Sequence, residues 1–315
     1  MALILREQNQ VIAVKLETTY GTDSVPAGAN ALLVSNIEVN TLDGPIADRN
    51  NLTGFMGNQG AVRLNQFVTI AFSVELIGAG AVDTPPAYSA LYLASGHAEA
   101  VTASTDVVYT PIEDDPDSVS IYYQVGPIQH KITGVRGTLT WELSTTGLPM
   151  LRFEGTGLFV AAPTNAGPLA GVSFAGLATP RPVNKTTVPT CTLDGTAVGM
   201  RELTITQGAT VSYIATVSDE SVEQTARASE IDILIREDDV TPKNWWDLCQ
   251  RNVEVPFAFQ RGIDVTDAGH ILEITSPNIQ LRDCVRSFTD GLSYLRITGS
   301  IRPTTKNSDY VVTHR

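Results

Sequence analysis

Cysteine is scarce in this 315-residue chain: Cys191, Cys249 and Cys284 are odd in number and far apart. Such a set supports neither a disulfide framework nor a zinc site, and it fits reduced thiols in a protein made in a cytoplasm. Charge is low at 17 % and acidic in balance, 34 groups against 21, for a formal −13. That is the wrong sign for gripping nucleic acid by neutralising phosphates. No apolar run approaches the roughly 20 residues of a membrane helix. The start, Met1-Ala-Leu-Ile-Leu-Arg6, lacks a basic segment followed by a long apolar one, so no secretion signal is expected.

Chemical motifs are equally thin. None of the four histidines, His97, His130, His270 and His314, stands at metal-ligand spacing from another histidine or a cysteine. His270 follows Asp264 and Asp267, but Asp264 to Gly269 has the composition of a solvated turn. Gly155-Thr-Gly157 lacks the third glycine and the following helix of a dinucleotide site, and there is no phosphate loop or nucleophile elbow. The run Glu113-Asp-Asp-Pro-Asp117 lacks the glycine and distal glutamate of a calcium loop and reads as a solvated acidic loop. We therefore expect no catalytic residue, no metal and no cofactor.

What is present is strand signal. In residues 66–76, Val68, Ile70, Phe72, Val74 and Leu76 alternate with Phe67, Thr69, Ala71, Ser73 and Glu75. Residues 133–144 alternate likewise, with Val135, Leu139, Trp141 and Leu143 on one face. Both predict half-buried antiparallel strands. Helix signal is confined to residues 84–96, with a capping Thr84, two prolines, a Tyr88/Leu91/Tyr92 stripe and a terminating Gly96. Residues 161–200 turn proline-rich, as a linker or an extended arm does.

Beyond that stretch the first pattern returns. Gly147-Leu-Pro-Met-Leu-Arg-Phe-Glu-Gly155 and Gly291-Leu-Ser-Tyr-Leu-Arg-Ile-Thr-Gly299 share five of nine residues. Thr241-Pro-Lys-Asn-Trp-Trp mirrors Thr84-Pro-Pro-Ala-Tyr-Ser, Ile231, Ile233 and Ile235 mirror the 66–76 strand, and Leu203-Thr-Ile-Thr206 mirrors Ile37-Glu-Val-Asn40. Strand, strand, helix and terminal strand in the same order predict an internal duplication. The expected fold is mainly β, two tandem β-sandwich or barrel-like modules, each with one short flanking α-helix. Expected boundaries are an N-terminal arm (1–30), module 1 (31–160), a linker (161–195), module 2 (196–305) and a C-terminal tail (306–315). Module 1 holds extra residues at 43–60 and 99–117, and residues 1–160 carry 16 of the acidic groups against 7 basic ones. Long loops on a compact β module are either mobile or committed to contacts.

Glu17-Thr-Thr-Tyr-Gly-Thr-Asp23, the Pro85-Pro-Ala-Tyr88 segment, Val135-Arg-Gly-Thr-Leu139 and the run from Gly147 to Gly157 together carry a family likeness. As an ordered set over most of residues 10–165, the chain resembles the tail tube proteins of long-tailed bacteriophages. The resemblance implies a β-sandwich or barrel-like subunit whose rings stack into a hollow tube through which double-stranded DNA passes without specific binding. It implies as partners further copies of the chain, a tape measure protein, a tail terminator and a distal tail protein, and as location the virion, after assembly in the bacterial cytoplasm. It implies no membrane. Relatives with one module form six-membered rings, so two modules per chain suggest three chains with pseudo-sixfold symmetry.

On this reading Thr69, Ser73, Glu75, Glu230 and Asp232 face the lumen, where carboxylates repel a DNA backbone. Asp43, Asp48, Arg49, Asn50, Phe55 and Met56, in the long loop of module 1, are expected to touch an adjacent ring. Of Trp245 and Trp246, one ring is expected in the core and the other at an interface. The alternatives are a tail terminator, baseplate or contractile-injection tube component, or a two-domain β protein that binds sugars through the tryptophan pair.

Overall fold

The computed structural model describes residues 5–174, 177–241, 243–263 and 267–315. The chain opens with β1 (Gln10–Leu16), β2 (Ala31–Leu32) and β3 (Val34–Asp43), then a separate hairpin of β4 (Ile46–Asp48) and β5 (Ala61–Arg63). It continues through β6 (Phe67–Glu75), helix α1 (Ser89–Ala94), a hairpin of β7 (His97–Thr102) and β8 (Asp106–Pro111), and β9 (Val119–Val125). A 17-residue strand β10 (Ile128–Ser144), β11 (Met150–Phe159) and β12 (Thr164–Asn165) end this first set.

The second set starts with β13 (Thr190–Leu193), β14 (Thr196–Ala197) and β15 (Met200–Thr206), then a separate hairpin of β16 (Ala209–Ala215) and β17 (Glu220–Arg227). β18 (Glu230–Arg236), helix α2 (Trp245–Gln250) and β19 (Glu254–Arg261) follow. An 18-residue strand β20 (Leu272–Thr289), β21 (Leu292–Ile301) and β22 (Val311–His314) complete it.

One order of antiparallel ladders occurs in both sets. In the first, β3 pairs β6, β6 pairs β11, β11 pairs β10, β10 pairs β9 and β12, β9 pairs β1 and β1 pairs β2. The second repeats this with β15, β18, β21, β20, β19, β22, β13 and β14 in the corresponding places. The register matches as well: Leu151 lies opposite Val74 and Gly155 opposite Ile70, while Leu295 lies opposite Ile235 and Gly299 opposite Ile231. A one-residue slip would turn every core side chain outward, so equal registers mean equal buried faces.

Two ladders join the sets. The end of β10 pairs β15 through Trp141–Ile205 and Leu143–Leu203, and β22 pairs β8. Among the described residues no path of ladders returns on itself, so no barrel closes within one chain. The inward rows of both sets meet in one hydrophobic cluster that includes Phe72, Trp141, Phe153, Ile233, Phe257 and Ile297. At about 25 cal/mol per Å² of apolar area removed from water, this shared burial holds the halves together.

Three local expectations are revised. α1 starts at Ser89 rather than at Thr84, because a residue before proline is driven out of the helical region and both Thr84 and Pro85 precede one. The acidic stretch 99–117 contains most of the β7–β8 hairpin. The proline-rich stretch 161–195 holds β12 and β13, and the terminal residues 306–315 hold β22. The expected turn at Asp264 lies partly outside the described residues.

α2 is short but capped: the Asn244 side chain accepts from the Asp247 N–H at 3.2 Å. Its buried residues Trp245, Leu248 and Cys249 sit at helical spacings of three and four.

Candidate channel-facing sheet and assembly edges

The pairings place eight strands side by side in the order β3, β6, β11, β10, β15, β18, β21, β20. Directly paired residues point to the same face. One row therefore runs Ser73, Arg152, Thr140, Thr206, Glu230, Ser300 and Gln280, and the next runs Glu75, Met150, Glu142, Thr204, Asp232, Thr298 and Asp283. The five side chains expected to share a lumen thus stand on one continuous face, with Thr69 two rows beyond Ser73. Glu230 is exposed, Thr69, Glu75 and Asp232 are half-buried, and Ser73 is buried.

This face is acidic. Glu38, Glu75, Glu142, Glu154, Glu202, Glu230, Asp232 and Asp283 stand on it against Arg152, Arg236, Arg282 and Arg296. Each of these arginines is tied to a carboxylate, Arg152 to Glu154 at 2.7 Å, Arg236 to Asp238 at 3.1 Å, Arg282 to Glu230 at 2.8 Å and Arg296 to Asp232 at 2.8 Å. The Glu154 bond raises the pKa of Arg152 and the Asp232 bond raises that of Arg296, so both stay charged. Ion pairs with carboxylates in excess leave a negative surface on which these four arginines, among the described residues, are already held by carboxylates.

Among the described residues the sheet has two unpaired sides, the outer edge of β3 and the β20 edge beyond residue 281. Within the chain, the β10 edge that corresponds to the second is covered by β15. The matching registers place Val285, Arg286, Ser287 and Phe288 where Thr140, Trp141, Glu142 and Leu143 stand. Leu143 is 1 % exposed and Phe288 is 74 % exposed. On the other edge, Ile37 is half-buried where Leu203 is fully buried.

The β16–β17 hairpin lies across the end of the polar face in the first set. Tyr213 stacks on Phe67 with centroids 5.1 Å apart, and the buried Arg136 donates from Nη1 to the Val222 carbonyl at 2.9 Å. Gln224 Nε2 donates to the Gly137 carbonyl at 2.8 Å, and the Val222 N–H donates to the Tyr20 hydroxyl at 2.6 Å. Tyr20 belongs to the Glu17-to-Asp23 motif, which is pinned by Glu17: its carboxylate accepts from the Gly134 N–H and from Ser118 and Ser120 at 2.7–2.8 Å. Sequence reasoning missed Arg136 and Tyr20 as docking residues, since an arginine inside an alternating strand carries no local sign of the partner it meets.

The long-loop residues stand apart from this contact. Asp43 ends β3, Asp48 ends β4, and Arg49, Asn50, Phe55 and Met56 are exposed in the turn before β5. The tryptophans separate: Trp245 is in the core, and Trp246 lies half-buried under Arg286, whose guanidinium is 4.9 Å from the ring centroid. They offer no two-ring platform for a sugar.

At the junction between the sets, Trp141 Nε1 donates to the Tyr92 hydroxyl at 3.1 Å, and that hydroxyl meets His314 Nε2 at 3.3 Å. His97 Nε2 meets the Tyr310 hydroxyl at 2.9 Å. Burial lowers the pKa of both histidines to about 3, so both are neutral.

Among the described residues no group of three or more His, Cys, Asp or Glu could hold a metal ion. An extended polar β face bounded by two open edges is the layout of a subunit that builds by edge sharing, which is a structural class of protein. The chain matches a family model described as phage tail tube protein over residues 7–239, and it belongs to that family. The match runs through the first set and on through β18 of the second. No curated protein matches the chain. It is a structural component of the phage virion, a subunit that assembles into the tail tube.

Proposed function

We propose that the two ladder sets are copies of one tube module, and that three chains close into a ring with pseudo-sixfold symmetry. Rings then stack into a hollow conduit for DNA ejection. The observation that carries this is the unequal fate of equivalent edges: β10 is covered by β15 in the same chain, while β20 and β3 are left open. The next chain's β3 covers β20 in the register that β15 takes on β10, with Val285 opposite Asn40, Arg286 opposite Val39 and Ser287 opposite Glu38. Phe288 then meets Ile37, as Leu143 meets Leu203. A closed ring leaves no strand edge for uncontrolled pairing.

Electron microscopy of the purified protein tests the reading. Stacked rings with three chains each are expected, and six whole chains per ring would overturn the pseudo-sixfold arrangement. In the ring the acidic face lines the lumen and keeps DNA mobile by repulsion. Lysine at Glu75 and Asp232 should leave tubes assembled and slow ejection, and unchanged ejection kinetics would remove these residues from the lumen. The tape measure, terminator and distal tail proteins are the expected partners at the tube's inside and ends.

A further inference from the structure

Each set sends a hairpin out of its sheet in the same way. β15 leaves through Gly208 and β3 through Gly44, both at positive φ, +65° and +128°. A Cβ would lie 2.2 Å from the Ala228 carbonyl at Gly208 and 2.1 Å from the Asn65 carbonyl at Gly44, so only glycine permits either exit. The β16–β17 hairpin then crosses onto the first set, whose β10 edge β15 covers, burying Val222 against Arg136 and stacking Tyr213 on Phe67. The β4–β5 hairpin reaches no such surface in its own chain: Ile46 is 55 % exposed, Val62 50 % and Leu64 61 %.

The surface it lacks is present on the second set. By register, Ala228 takes the place of Phe67 and Ser300 that of Thr156, with Arg282 at the bulge next to Leu281, which takes the place of Gly137. Where the first set holds a docked hairpin, the second has beside these three residues a cavity of about 500 Å³, bounded also by Ile301 and Pro303, by residues 224–227 of β17 and by Ile112 and Glu113 of the first set. In cis, a chain that covers a β10 edge with β15 also lays down the next hairpin. A chain that covers a β20 edge with β3 carries β4–β5 to this cavity.

We propose that the β4–β5 hairpin of one chain docks in trans into the cavity beside Ala228, Arg282 and Ser300 of the adjacent chain in the same ring. Ile46, Val62 and Leu64 seat there, and the turn around Phe55 and Met56 is left free. This rests on the ring reading above but assigns the body of the hairpin to the neighbour within a ring, where the sequence pointed to an adjacent ring.

The test places a benzophenone amino acid at position 62 of the full-length protein, counts chains per ring by microscopy, then irradiates and maps cross-linked peptides. Cross-links from residue 62 into residues 224–230 or 278–303 of another chain are expected, in a covalent product that stops at the number of chains counted in one ring. Rings with cross-links elsewhere, or a product ladder that passes the ring size, overturn the docking and leave the ring reading standing. Absence of rings overturns both. In a second arm, Ile46→Asp with Val62→Asp should lower tube yield at least about tenfold, the equivalent of about 1.4 kcal/mol per contact. Val217→Asp, at the exposed turn of the other hairpin, should leave yield unchanged, and equal yields from the two variants would also refute the proposal.

Discussion

Leu143 and Phe288 occupy the same place on two strands of matching register, yet one is sealed in the core and the other stands in water. The difference is the neighbour: β10 has β15 beside it, while among the described residues the end of β20 beyond residue 281 has no strand on that edge. The two hairpins repeat the contrast, β16–β17 folded onto the first set and β4–β5 carrying exposed Ile46, Val62 and Leu64. One half of the molecule thus displays, completed in cis, the contacts that the other half leaves open. In a protein that polymerises, an exposed apolar side chain at a position buried in its counterpart marks an interface rather than a packing fault.

The largest test of this comparison is truncation at the two equivalent positions. Leu143→Ala should cost about 3 kcal/mol of folding stability through the cavity it leaves. Phe288→Ala should change the stability of the isolated chain by less than about 0.5 kcal/mol while sharply lowering the amount of tube formed. Denaturant melts alongside sedimentation of tubes would read both, and equal folding costs would end the comparison.

The two exit glycines sharpen it at smaller scale. Gly208→Ala should cost about 2 kcal/mol of folding stability, because its Cβ collides with a backbone carbonyl beneath a docked hairpin. Gly44→Ala meets a similar collision, but its hairpin is free to swing away, so its cost should appear in assembly and not in the melt of the single chain.

The effect that is smallest at neutral pH concerns the junction between the sets. His97 and His314 are neutral in the folded protein with pKa values of about 3, whereas the unfolded chain takes up their protons near the ordinary histidine value. Their contribution is complete at neutral pH and is lost as pH falls from about 6.5 toward 3, at about 1.4 kcal/mol per pH unit for each histidine. Replacing both with glutamine should flatten the slope of stability against pH in that window, and an unchanged slope would place the sensitivity elsewhere.

Much of this architecture was legible because it rests on local alternation. The Val68 to Leu76 row became β6, and the match of Leu203-Thr-Ile-Thr206 to Ile37-Glu-Val-Asn40 is the register that the ladders show opposite Ile231 and Ile70. The five polar positions shared a face because period two fixes side-chain direction whatever the partner. Pairing between distant strands leaves no such trace, so the passage of β10 from β9 to β15 and the seat of Arg136 under β17 were invisible. The β7–β8 hairpin was hidden by its acidic surroundings, and β13 by the prolines around it.

The hydrogen-bonded seam between β22 and β8 has no counterpart in the other set, because the second set has no hairpin between α2 and β19. The proposed ring of three chains would therefore alternate two kinds of joint. One is fastened by continuous backbone, an extra ladder and the Tyr92, His97, Tyr310 and His314 cluster before assembly begins. The other forms only when chains meet. A tube pulled or bent during infection would then part along every second joint, so its mechanical weak lines are fixed in each subunit at folding, before any ring exists.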